Sequence, residues 1–110
     1  MNLALNHLSL PALDPTRLGD WYVEALGFTR HGKYLWGADG SLLVFTKGSP
    51  LKRKDVHIGF RVDARDTLLV WQKRFQSAGL PTRFTLDDDH ASLFLTDPEG
   101  NTIEIFDQPS

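Results

Sequence analysis

Asp97-Pro98-Glu99-Gly100-Asn101 leads directly into Thr102-Ile103-Glu104-Ile105-Phe106. The first five residues are a hairpin turn signal. The next five alternate as a strand does, with Ile103 and Ile105 on one face and Thr102, Glu104 and Phe106 on the other. A carboxylate thus faces away from two isoleucines. An earlier turn, Ala38-Asp39-Gly40, precedes another strand from Ser41 to Lys47. Gly40 and Gly100 end equivalent turns, 60 residues apart. The chain therefore contains the same unit twice.

The rest of each unit follows the same order. Leu3 to Leu10 reads as a strand that Pro11 ends. Asp14 caps a helix with Pro15 at its first position. Leu18, Trp21, Tyr22, Ala25 and Leu26 recur at helical spacing, and Gly27 closes the helix. Phe28 to Trp36 is strand-like with a break at His31-Gly32. Gly48-Ser49-Pro50 and Leu51-Lys52-Arg53-Lys54 form a polar linker. In the second half Val56 to Val62 is a strand. Asp63 is expected to cap a helix, with Asp66 completing a capping box. Leu68, Trp71, Phe75 and Ala78 line that helix and Gly79 closes it. Thr82 to Leu86 and Ala91 to Thr96 are strands, joined by the turn Asp87-Asp88-Asp89-His90. The order is strand–helix–three strands, twice. This predicts an α+β fold of paired βαβββ modules, residues 1–50 and 51–110, within one domain. Each helix covers one face of its strands, so the modules must pair to complete a core, either within a chain or across a dimer.

The 110 residues suit one compact domain. Apolar residues at 41% and charged residues at 24% exclude a disordered chain. A net charge of -2 without a basic stripe argues against nucleic acid. The absence of cysteine removes disulfides and thiolate metal sites. No apolar run reaches the length of a membrane span, and the N-terminus lacks the pattern of a signal peptide. Cytoplasmic residence is the expectation.

The repeat gives the histidines meaning. His7 and His57 stand on the first strand of each half. Val56, Ile58, Phe60 and Val62 share the face expected under the helix, and His57, Gly59 and Arg61 share the other. His7, His57 and Glu104 thus point away from the helix-covered faces. Two imidazoles and a carboxylate suit Fe, Mn, Ni or Zn and leave coordination positions open for substrate and water. Taken singly, a strand histidine is more often a structural hydrogen-bonding group, and a terminal-strand glutamate more often solvated. Matched repeat positions and a shared face favour metal binding.

At these residues the chain resembles the vicinal oxygen chelate superfamily, the glyoxalase, bleomycin resistance and extradiol dioxygenase group. The resemblance lies in Asn6-His7-Leu8-Ser9-Leu10, in Trp21 to Phe28, in His57-Ile58-Gly59-Phe60, and in Asp97 to Asn101 leading into Ile103-Glu104-Ile105. It implies a curved mixed β-sheet cup around a divalent metal held by His7, His57 and Glu104, and a homodimer. The 60-residue offset puts Val44 where four-ligand glyoxalase I enzymes supply another carboxylate, so the resemblance implies the three-ligand type.

Four further residues are candidates. Tyr34 is an acid–base candidate, and Arg61 a clamp for an anionic substrate. Trp36 and Phe106 are candidates to line an apolar pocket. Each has an ordinary reading too, as a packed aromatic or a solvated arginine. The Asp87-Asp88-Asp89-His90 cluster lacks the spacing of a calcium loop and reads as a solvated turn. His31 and His90 read as turn residues. The expected function is a metal-dependent enzyme acting on a small oxygenated substrate that chelates the metal, by dioxygenase, lyase or thiol-transferase chemistry. The alternative is a non-catalytic small-molecule binding protein of the drug-sequestering, bleomycin-resistance type.

Overall fold

A computed structural model describes residues 1–51, 55–87 and 90–107. Lys52, Arg53 and Lys54 of the expected linker, and Asp88 and Asp89 of the expected acidic turn, lie outside the described residues. The chain divides into two compact units, Met1–Lys52 and Arg53–Ser110.

The first unit runs β1 (His7–Ala12), α1 (Pro15–Leu26), β2 (Thr29–His31), β3 (Tyr34–Trp36) and β4 (Leu42–Lys47). Its sheet has the order β1-β4-β3-β2, with β1 and β4 parallel and the other pairs antiparallel. The second unit runs β5 (His57–Val62), α2 (Arg65–Ser77), β6 (Arg83–Leu86), β7 (Ala91–Thr96) and β8 (Thr102–Asp107). Its order is β5-β8-β7-β6, again with the first pair parallel. Both units are βαβββ and both sheets are open and mixed, so the fold is α+β.

The repeat holds at the level of single bonds. In the first hairpin Gly37 N–H donates to the Ser41 carbonyl and Gly40 N–H to the Gly37 carbonyl. In the second, Asp97 N–H donates to Asn101 and Gly100 N–H to Asp97. Gly40 and Gly100 both adopt positive φ, 86° and 88°, where a Cβ is strained.

Each helix buries one face of its sheet. In the first unit Leu18 and Tyr22 of α1 pack on Leu10, Ala12, Leu35, Leu43 and Phe45, all buried. The Tyr22 ring lies 5.1 Å from Phe45 and 5.9 Å from Phe28. In the second unit Leu68 and Phe75 cover Ile58, Leu93, Leu95, Ile103 and Ile105. Trp21 and Trp71 are only half-buried.

Four local expectations shift. The first strand begins at His7, not Leu3, because β4 offers partners only from Leu42 onward. Leu3 and Leu5 are fully exposed as a result. Pro11 does not end β1 but pairs with Thr46 inside it. An edge strand tolerates the missing donor. α2 is capped by Ala64 without a side-chain bond, not by Asp63, while Asp66 sits in its first turn. His31 ends β2 opposite Tyr34 rather than lying in a turn.

Gly19 is buried within α1, and a Cβ added there would come 2.5 Å from Arg30 Nη2. That nitrogen donates to the Thr16 carbonyl at 3.0 Å and to Asp20 Oδ1 at 2.8 Å. A mid-helix glycine-to-alanine change ordinarily stabilises by about 1 kcal/mol. Here Arg30 must swing away and lose both bonds. Gly19→Ala is therefore expected to leave the urea midpoint unimproved, and to stabilise by about 1 kcal/mol once Arg30→Ala has cleared the space.

Asp107 closes the second unit. It is buried, Ala91 N–H donates to its Oδ1, and Arg65 Nε donates to its Oδ2 at 2.9 Å. The Ala91 amide holds the carboxyl below its ordinary value of 3.8, against the opposing effect of burial and with help from Arg65. A folded pKa below the unfolded one stabilises at pH values above the unfolded pKa, about 4. That stability drains away as pH falls through the folded pKa. Asp107→Asn should lower the urea midpoint at pH 7, and its gap from wild type should narrow below about pH 4. A gap independent of pH would show that the charge is not what matters.

Candidate metal centre

Strand alternation sorts the second sheet into two faces. Ile58, Leu93, Leu95, Ile103 and Ile105 point to the α2 side. His57, Gly59, Arg61, Ser92, Phe94, Glu104 and Phe106 point to the other. On this second face His57 stands opposite Thr102, and Gly59 opposite Glu104. Phe94 flanks Glu104 on its other side.

These positions bring His57 and Glu104 together. His57 Nε2 lies 3.1 Å from Glu104 Oε1. Ser92 Oγ donates to the other carboxylate oxygen, Oε2, at 2.6 Å. Ser92 is buried and ties back that oxygen. The His57 side chain is 47% exposed and that of Glu104 16%, so the pair sits at the surface with its imidazole outermost. The edge of the His57 ring meets Phe94 at 6.4 Å and 75°. Gly59 stands beside the carboxylate across the strand pair. A Cβ there would touch Phe106 at 3.4 Å and Glu104 Oε1 at 3.9 Å.

This donor set fits a divalent metal. An imidazole nitrogen and a carboxylate oxygen converge on one point, and the second oxygen is tied back by a neighbour, as ligating carboxylates commonly are. Among the described residues no group of three or more histidine, aspartate and glutamate side chains is gathered as a metal cage. The second unit by itself supplies two donors.

The first unit carries the corresponding face. His7 opens β1 opposite Leu42, as His57 opens β5 opposite Thr102. It is exposed, and its Nδ1 lies 3.1 Å from Asn6 Oδ1. Val44 stands opposite Ser9 as Glu104 stands opposite Gly59, so the 60-residue offset holds in strand register. Val44 is buried and offers no ligand. Tyr34 pairs with Val44, and Trp36 with Leu42. Both are exposed on His7's face. Trp36 meets the His31 ring edge-on at 6.3 Å.

Arg61 and Phe106 are register partners on Glu104's face, with Arg61 exposed. His90, whose carbonyl accepts from Asp87 N–H, sets its ring against Phe106 at 6.3 Å. Sequence reasoning missed Ser92 and the place of Gly59 opposite Glu104. Ser92 was within reach, since alternation along Ala91 to Thr96 places it with Phe94, but only the register shows that it meets Glu104.

Among the described residues no helix is long and apolar enough to cross a membrane. No curated protein matches the chain in sequence. Solved structures match throughout. The glyoxylase/bleomycin resistance protein/dioxygenase domain from Frankia sp. EAN1pec is 20% identical, with a TM-score of 0.79 over 98% of this chain and 99% of that one. A lactoylglutathione lyase from Agrobacterium tumefaciens is 18% identical, with a TM-score of 0.76 over 94% and 92%. A genomically encoded fosfomycin resistance protein from Listeria monocytogenes is 17% identical, with a TM-score of 0.79 over 97% and 94%. At such identities the likeness is one of fold. Residues 4–105 match the profile of a whole family, and with that match the duplicated βαβββ chain belongs to the Glyoxalase/Bleomycin resistance protein/Dioxygenase superfamily.

Proposed function

We propose that the chain is a metal-dependent enzyme of the glyoxalase/dioxygenase type. Its substrate is a small oxygenated molecule that chelates a divalent metal, Fe, Mn, Ni or Zn. The observation that carries the reading is the convergence of His57 Nε2 and Glu104 Oε1 within 3.1 Å, with Ser92 holding the other carboxylate oxygen.

His57 and Glu104 are the ligands proposed from the second unit. His7 is proposed as the third on register, since it opens β1 where His57 opens β5. When bound, the metal supplies a Lewis acid for negative charge developing on a substrate oxygen, or an O₂ site if it is Fe(II). The chain's own groups prepare this. Ser92 presents Glu104 with Oε1 outward. A divalent metal bound here would be held through a neutral His57 imidazole and the Glu104 carboxylate. Tyr34 is proposed as the acid–base group, and Arg61, Trp36 and Phe106 as substrate contacts. Dioxygenase, lyase and thiol-transferase chemistry all suit two histidines and one carboxylate with open positions. The reading takes the protein as a cytoplasmic homodimer with a small-molecule substrate and neither nucleic acid nor membrane as partner.

Elemental analysis and metal titration of protein purified without chelator test the ligand set. Wild type should take up stoichiometric metal, and His7→Ala, His57→Ala and Glu104→Gln should each lose most of it. Equal, negligible uptake by wild type and His7→Ala under Fe(II), Mn(II), Ni(II) and Zn(II) would sink the reading. Ligand binding insensitive to Glu104→Gln and to chelator would replace the enzyme with a sequestering protein. Oxygen consumption with iron separates a dioxygenase from the lyase and transferase chemistries.

Ser92→Ala tests the positioning of Glu104. Loss of a partner that orients a ligand typically weakens metal affinity about 10–100-fold. That loss is expected here with an unchanged far-UV spectrum, and Ser92→Thr, which keeps the hydroxyl, should restore part of it. Unaltered affinity in Ser92→Ala would remove Ser92 from the site.

A further inference from the structure

Arg83, Phe94, Glu104 and Gly59 form one rung across β6, β7, β8 and β5. All four lie on the face that carries His57. Arg83 starts at the sheet edge, but its guanidinium does not stay there. It lies over the Phe94 ring, 4.5 Å from the centroid. Neighbouring strands are about 4.8 Å apart. The cation is thus carried inward from the edge strand over the ring of the residue that pairs with Glu104.

Glu104 is the carboxylate of the same rung. Here both Glu104 oxygens are taken, one by His57 and one by Ser92. Among the described residues Arg83 makes no ion pair, and its guanidinium rests on the ring. A guanidinium resting on an aromatic face keeps its edge N–H groups free for a bidentate anion. Arg30 of the first unit is the contrast. It borders a shallow cleft with Thr16 and Lys33, and it is already occupied by Asp20 and the Thr16 carbonyl. The rung equivalent to that of Arg83 is His31, Tyr34, Val44 and Ser9, which has neither carboxylate nor arginine. Acid and cation entered the same rung of the same copy.

We propose that Arg83 selects the substrate of this face by binding an anionic group, a carboxylate or phosphate-like oxyanion, that the substrate carries about one strand spacing from the oxygens directed at His57 and Glu104. The inference rests on the proposed metal site, and it names the class of molecule as a bifunctional acid. One end bears neighbouring oxygens and the other bears negative charge. Phe94 holds the guanidinium in place before the substrate arrives, which reduces the ordering cost of binding.

Catechol and 3,4-dihydroxybenzoate are matched probes, since they share two neighbouring oxygens and differ by one carboxylate. Calorimetric affinities of both are measured with Mn(II)-loaded and chelator-treated protein. Wild type should prefer the carboxylate compound about tenfold. Arg83→Met should abolish the preference and leave catechol affinity unchanged, and Arg83→Lys should restore part of it as a point charge without the fork. Persistence of the preference in Arg83→Met, equal affinities in wild type, or binding of neither probe would overturn the inference. The metal reading fails separately: if Glu104→Gln and chelator leave catechol affinity untouched while the preference still depends on Arg83, the anion site stands and the metal site does not.

Discussion

One helix covers one face of each four-stranded sheet, and nearly everything else follows from that constraint. Strand alternation sends every second side chain to the helix, and the buried apolar ones there are Leu, Ile, Phe and Ala. The remaining positions face away from the helix. In the second unit they hold His57, Arg61, Arg83, Ser92, Phe94, Glu104 and Phe106. Rigid strands therefore hold the polar groups, and strands place side chains more accurately than loops do. Asp107, one residue past Phe106, alternates back to the helix side and serves the opposite purpose, joining α2, β7 and β8.

The two units use one scaffold for unequal ends. Their hairpins make the same backbone bonds and their parallel strand pairs share one register. The side chains at matching positions differ where chemistry is concerned. Val44 stands for Glu104, Tyr34 for Phe94, His31 for Arg83 and Ser9 for Gly59. Only His7 and His57 are alike. Duplication supplied two copies of a strand-borne histidine, and the acid with its supporting serine belongs to one copy.

Much of this was legible in the residues. The repeat, both helices, the turn glycines and the face shared by His57 and Glu104 follow from spacing and alternation. The 60-residue offset assigned Val44 correctly because turn and strand lengths match in the two halves. The errors have physical causes. Leu3 and Leu5 look like strand residues, yet a strand needs a partner and β4 supplies none before Leu42. Pro11 looks like a terminator, and edge placement makes it tolerable. Asp63 has the composition of a cap without the geometry. Ser92, Gly59 and Arg83 matter through their neighbours across strands. Pairing register sets those neighbours, and no local pattern encodes it.

The arrangement around Glu104 is not explained by stability. A half-exposed histidine–carboxylate pair is worth about 0–1 kcal/mol. Placing a carboxylate where only 16% of it meets solvent carries a desolvation cost. The Ser92 hydroxyl, a bond to a charged acceptor worth about 1.5–3 kcal/mol, offsets that cost without turning it into a large gain. The sister strand shows the simpler solution, since Val44 fills the same register and is buried. Replacing a buried ionic group by a well-packed apolar one is often neutral or stabilising. A chain selected for folding alone had that solution available. It instead keeps an acid, a serine bonded to it, a glycine across the strand pair and an arginine resting on the ring that flanks it, without a counter-ion among the described residues. Those features are costs or near-neutral in the folded protein by itself. They gain a rationale when an external cation and an external anion complete the face.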